Sequence, residues 1–189
     1  TAVATDLWPD LAIDAALANL RVNLTHLLDA LAPKLPRDVR GELVVDMPGS
    51  LRLSEAVVSD VAQLQGALAV LGDRRISELE VLLAAGRRLV ALPAGPWLGG
   101  DVSAEWMDAE RSRLDAQVLA AVERVGPLAL EAADLDLAER LGERGCASDS
   151  WSESCHRLVA EARLARGDVD GARRAARALV EVVREQGYR

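Results

Sequence analysis

The chain has 189 residues, half of them hydrophobic, and 22 basic side chains against 30 acidic ones, for a formal net charge of −8. That length suits one sizeable domain, or a small domain followed by a larger one. The acidity excludes general nucleic-acid binding over the whole surface, which depends on neutralising phosphates with Lys and Arg, so only a local basic patch could serve that purpose.

Phe is absent and Tyr occurs once, so the core must be assembled from Leu, Val, Ala and the four Trp residues. Charges interrupt the apolar runs every few residues, which predicts no membrane span. The N-terminus shows neither Met nor a basic leader and reads as a segment cut from a longer chain; a cytoplasmic protein with reduced thiols is expected. The charge is unevenly distributed. Residues 1–59 hold five basic and eight acidic side chains, residues 60–100 four of each, and residues 101–189 thirteen basic and eighteen acidic.

In chain order, LWPD (Leu7–Asp10) comes first and NLRVNLTHLLDAL (Asn19–Leu31) soon after. Leu17, Leu20, Leu24, Leu27, Leu28 and Leu31 recur at helical spacing and predict an amphipathic helix that stops before Pro33 and Pro36. Leu43–Asp46 and Leu51–Leu53 read as two short strands around a Met-Pro-Gly-Ser turn. Helices are expected over Val57–Leu71 and Ile76–Leu92, followed by a break at Pro93–Asp101. Four more are expected at about Ala104–Val125, Pro127–Gly142, Trp151–Arg166 and Val169–Glu185.

An internal repeat lies in the second half. AADLDLAERL (Ala132–Leu141) aligns with RGDVDGARRA (Arg166–Ala175) at an offset of 34 residues. Asp134 and Asp168 fall at matching N-cap positions, and Ala138 matches Ala172. Thirty-four is the tetratricopeptide period, in which a small alanine lets paired helices approach closely and neighbouring repeats complete one another's core.

Cys146, Cys155 and His156 could supply three metal ligands, but their spacing matches no usual zinc pattern and no fourth ligand lies nearby, so no metal site is expected. GDVDG (Gly167–Gly171) resembles a calcium loop yet has Leu179 where the bidentate acid should stand. Neither histidine falls in a nucleophile–base pattern, and GPWLGGD lacks the lysine and the strand–helix setting of a phosphate loop. No enzyme and no cofactor is expected. Arg163, Arg166, Arg173, Arg174 and Arg177 form the densest basic cluster, interleaved with Asp168 and Asp170 as on a solvated face.

The run Leu89–Leu114, with Gly95, Pro96, Leu98, Trp106 and Glu110-Arg111-Ser112-Arg113-Leu114, resembles the bacterial transcriptional activator domain of SARP-type regulators. LWPD, the helix Asn19–Leu31 and GSLRLS resemble the latter part of the OmpR-like winged helix that precedes that domain. The resemblance implies a mainly α protein. Residues 1–55 would be a truncated or degenerate winged helix with a short hairpin, and residues 56–189 a tetratricopeptide-like array. It implies transcription regulation, with promoter DNA, RNA polymerase or other regulatory proteins as partners, and possible homodimerisation.

Candidate DNA contacts are Asn19, Arg21, Asn23, Thr25 and His26 on the helix and Arg52 on the wing, where Asn and Arg can bond base edges. The same residues also suit the solvated side of an amphipathic helix. Leu28 and Asp29 stand where the family presents cations. Leu28, with Trp97 and Trp151 in or beside loops, forms a candidate interaction surface. The alternative is therefore an interaction or ligand-sensing module of a larger regulator that does not bind DNA.

Overall fold

The computed structural model describes residues 2–34, 36, 38–39, 42–47, 50–55, 57–93 and 105–185. The chain is mainly helical and divides into two compact units, Thr1–Ser59 and Asp60–Arg189.

Unit 1 holds α1 (Ala2–Leu7), α2 (Ile13–Leu31) and an antiparallel hairpin of β1 (Val44–Met47) and β2 (Ser50–Leu53). The leucine period builds α2, and Asp14 in its first turn complements the positive end of the helix dipole. Ahead of Pro33 the helix closes, with the Ala32 N–H donating to the Leu28 carbonyl at 3.1 Å. The hairpin pairs Val44 with Leu53, Val45 with Arg52, Asp46 with Leu51 and Met47 with Ser50, so Met47 and Ser50, expected in the turn, are strand residues; Pro48 and Gly49 lie outside the described residues.

Burial in this unit is shallow. Among the residues whose burial is described, Ala4 and Ala16 are the fully buried hydrophobics, Leu17, Leu20, Leu24 and Leu28 are half-buried, and Leu7, Leu11, Ile13, Val22 and Leu27 are exposed. Trp8 is half-buried.

Unit 2 contains α3 (Asp60–Gly72), α4 (Leu79–Ala91), α5 (Glu105–Glu131), α6 (Leu135–Ser148), α7 (Glu153–Ala165) and α8 (Val169–Glu185). Helices adjacent in sequence pack together as α3–α4, α5–α6, α6–α7 and α7–α8; in addition α3 touches α5, α5 touches α7, and α4 touches both α5 and α6. The odd-numbered helices α3, α5 and α7 therefore make one layer, with α4 and α6 behind it. One continuous core runs through the stack, from Leu64 and Leu71 of α3 through Leu89 of α4 and Leu114, Val118, Val122 and Val125 of α5 to Leu141 of α6 and Cys155 of α7. By the hydrophobic rule of about 25 cal/mol per Å² removed from water, this leucine-valine seam is the main source of the unit's stability.

The helix predicted to start at Pro127 does not exist as such. Helix α5 runs through Pro127 to Glu131, and the next helix begins only at Leu135. A proline in mid-helix removes one N–H, here the donor to the Glu123 carbonyl, and burial of Val118, Val122, Val125 and Ala129 along one face outweighs that loss. The true break is Ala132–Asp134, where Ala133 takes the left-handed conformation at φ 57°. An Asp134 cap and a helix already under way from Pro127 are incompatible, and the cap prevails: its carboxylate accepts the Leu137 N–H at 3.2 Å.

The same device recurs 34 residues on. Gly167 is left-handed at φ 86°, the Asp168 carboxylate accepts the Gly171 N–H at 2.8 Å, and Ala172, like Ala138, is buried.

The two left-handed positions make a reciprocal prediction. A non-glycine residue there costs on the order of 1 kcal/mol, partly offset by the unfolded-state entropy that glycine adds. Urea unfolding should show Gly167→Ala less stable by about 1 kcal/mol and Ala133→Gly neutral to more stable by up to about 1 kcal/mol. A stabilising Gly167→Ala would refute the turn geometry.

Candidate functional site

In unit 1 the candidate nucleic-acid residues lie on α2 and β2, and every one of them is exposed. At about 100° per residue, Asn19, Asn23 and His26 share one narrow sector, while Arg21 and Thr25 sit roughly 200° further round. The outward sector between these two rims carries Ala18, Val22 and Asp29. A helix that reads a groove presents its polar residues at the centre of the outward face, and here a half-exposed valine and an acid stand there.

Two of the polar groups are turned onto their own helix. Asn23 Nδ2 donates to the Asn19 carbonyl at 2.9 Å, and Thr25 Oγ1 donates to the Arg21 carbonyl at 3.2 Å. Arg52 is exposed on β2 opposite Val45. Leu28 is half-buried within the apolar side of α2, so it contributes to packing more than to an outward surface. Trp97 lies outside the described residues. Trp151 is 40% exposed in the turn before α7, where its N–H donates to Asp149 Oδ1.

Unit 2 carries a half-open groove of about 770 Å³ between α3 and α5. Leu68, Ala69 and Leu71 of α3 and Ala120 and Ala121 of α5 give it an apolar floor; Gln65 and Gln117 stand on opposite walls; Arg74, Arg113 and Arg124 border it. Arg124 donates to the Leu71 carbonyl at 2.6 Å and the Asp73 carbonyl at 3.0 Å, and also to that of Ile76, so it caps the C-terminal end of α3 and the turn after it. Arg113 Nε donates to Glu110 Oε2 at 2.8 Å, and this guanidinium holds the Glu110 carboxyl below the usual carboxylate range.

A second cavity of about 460 Å³ lies between α5 and α7, where Ser154 Oγ donates to Glu123 Oε1 at 2.9 Å beside Pro127, Arg157 and Glu161.

The basic cluster near the C-terminus is structural in part. Arg163 Nε reaches Glu139 at 2.6 Å and its Nη2 reaches Glu143 at 2.8 Å, tying α7 to α6, and Arg166 bonds Glu139 as well. Arg173 pairs with Asp170 at 3.4 Å on the surface, where such a pair contributes little.

Sequence reasoning missed the roles of Arg124, Arg140 and Arg144. Arg140 donates to the Val90 carbonyl at 2.9 Å and Arg144 to the Pro93 carbonyl at 2.7 Å, so α6 caps the end of α4 as α5 caps that of α3. The available signal was Arg144 itself, three residues after Leu141 on the apolar stripe of α6 and 5% exposed.

Cys146 and Cys155 are free thiols. Burial pushes Cys146 up to about 11 and raises Cys155 as well. His156 Nε2 is 2.9 Å from the Ser150 carbonyl. Among the described residues no group of three or more His, Cys, Asp or Glu side chains is placed to hold a metal ion. No helix among them is long and apolar enough to cross a membrane.

Comparisons with protein-family models, with curated proteins and with solved structures found no match to this chain.

The raised thiols set a pH dependence. A pKa above the unfolded value means the folded state holds the proton more tightly, so the associated stability is intact below about pH 8.5 and falls as pH climbs towards 11. Iodoacetamide at pH 8 should alkylate Cys146 in the folded chain at least about a hundredfold more slowly than in urea, because the thiolate is the nucleophile. Equal rates in the two states would contradict the burial of this thiol.

Proposed function

We propose that the chain is an interaction module of a transcription regulator, similar to SARP-type activators. In this reading a tetratricopeptide-like array provides the working surface, and a degenerate winged helix precedes it. One observation carries the reading of unit 2. The 34-residue repeat legible in the sequence recurs as three matched structural features: left-handed Ala133 and Gly167, capping Asp134 and Asp168, and buried Ala138 and Ala172. Repetition of a whole helix-turn-helix unit, cap included, is what a stacked solenoid requires. The contacts of α3 with α5 and of α5 with α7 supply the like-with-like neighbours of such a stack.

Partners on this reading are other regulatory proteins, RNA polymerase among them by the family resemblance, or a second copy of the chain. Folds of this kind serve many functions, so the assignment to transcription rests on the motif order and not on the array alone.

A second reading keeps promoter DNA as a direct partner, and the order of α2 followed by a β-hairpin favours it. Against it stand the acidic balance of residues 1–59 and the division of the polar residues of α2 into two rims. Phosphate contacts normally seat a reading helix before bases are discriminated, and α2 offers one arginine for that purpose.

Fluorescence anisotropy with a mixed-sequence 30-base-pair duplex at about 50 mM salt separates the two readings. The interaction module predicts no binding tighter than about 10⁻⁴ M, the weak end of nonspecific affinity. Micromolar binding with a steep salt dependence, abolished in an Arg21→Glu/Arg52→Glu variant, would make unit 1 the DNA reader.

A further inference from the structure

The chain carries eight more acidic than basic side chains, yet the groove between α3 and α5 is lined by three arginines and, among the described residues, by no carboxylate. Arg74 makes no ion pair among the described residues, and Arg124 spends its hydrogen bonds on neutral carbonyls, with the Asp73 carboxylate close enough to feel its charge. Arg113 holds Glu110 through Nε and Nη2 and also donates to Gln117 at 3.3 Å; the pair is partly exposed at the rim, where a ligand carboxylate would displace Glu110.

The groove is elongated. Gln65 to Gly72 spans about 10 Å of α3 and Arg113 to Arg124 about 16 Å of α5, at 1.5 Å per residue. An extended peptide rises about 3.3 Å per residue, so about five residues would fill it. Gln65 on one wall offers both a donor and an acceptor, and Gln117 on the other, whose Oε1 accepts from Arg113 at 3.3 Å, keeps its amide donors for an extended backbone. Between them the leucine and alanine floor suits one branched apolar side chain.

Resting on the interaction-module reading, we propose that this groove binds an acidic peptide segment of a partner protein. The segment lies extended between α3 and α5, an apolar side chain sits on Leu68, and flanking carboxylates meet Arg74 and Arg113. Arginine is the apt residue for this task, since its planar fork engages a carboxylate bidentately. The groove is half-open to solvent, which admits a chain laid along it. A small molecule would leave much of its surface in water there, whereas small-molecule sites commonly bury 70% or more of their ligand.

The test selects ligands without presupposing their sequence. A random heptapeptide library displayed on phage is panned on the immobilised full chain, and the enriched peptides are synthesised and titrated by fluorescence anisotropy. The expected winners carry at least two Asp or Glu residues around a Leu, Ile, Val or Met. Their affinity should fall tenfold or more in Arg74→Glu/Arg113→Glu, and severalfold in Arg74→Glu alone, whose thermal midpoint should be unchanged because that side chain is exposed and makes no ion pair among the described residues. Glu110→Gln, which releases Arg113 from its partner, should tighten binding two- to fivefold, a gain that misfolding cannot mimic. Failure to enrich any peptide, enrichment without an acidic bias, or undiminished binding to the double variant would each overturn the proposal. In the last case peptides still bind, so the interaction-module reading survives at another surface; that reading itself falls with the DNA titration.

Discussion

The close approach of α5, α6 and α7 is the constraint on which the array depends. A Cβ at Gly126 of α5 would collide with Leu158 of α7. One at Gly145 of α6 would meet the Cys155 sulfur, and one at Gly142 would lie 2.6 Å from Val159 Cγ2 and 3.0 Å from the Cys155 carbonyl. With backbone so near backbone, buried Ala138 and Ala162 become as important as the leucines, because larger side chains would separate the layers and open voids in the seam. Interiors are packed like crystals, and a stack of helices tolerates a change in spacing poorly, since each interface sets the position of the next.

The arginines of α5 and α6 follow from the same geometry. Once the helices stack, the C-terminal carbonyls of α3 and α4 end against the sides of α5 and α6, partly shielded from water at the end of α3. Arg124, Arg140 and Arg144 satisfy them. A buried carbonyl without a donor costs on the order of 1–3 kcal/mol, so these cations act as caps supplied in trans by the next layer. The same packing leaves Arg124, a structural cation, at the border of the groove beside Arg74 and Arg113.

Much of the fold was legible in the sequence. Leucine spacing marked α2, the start of the last helix at Val169 was placed correctly, and the hairpin strands lay within a residue or so of their observed positions. The 34-residue repeat marks both capping aspartates in the sequence itself. The misplaced boundary at Pro127 shows where local rules fail. A helix breaker was weighed without the burial of four residues around it, and the left-handed alanine at 133 carries no sequence signal of its own. The site was less legible. Arg74, Arg113 and Arg124 are scattered over fifty residues, and only the packing of α3 on α5 brings them to one groove. On α2 the opposite occurred: residues that read as one polar face fall on two rims once the helical phase is drawn.

Gly142→Ala set against Gly66→Ala, followed by urea denaturation, tests the close-packed interface most directly. Both sites are helical, and a Cβ on Gly66 meets nothing within 4 Å. The account predicts that Gly66→Ala gains up to about 1 kcal/mol from helix propensity. Gly142→Ala should lose about 1–3 kcal/mol, because the obstructing atoms include backbone that cannot swing aside. If Gly142→Ala proved as stabilising as Gly66→Ala, α6 and α7 would not be in the contact described, and the stacked array would have to be abandoned.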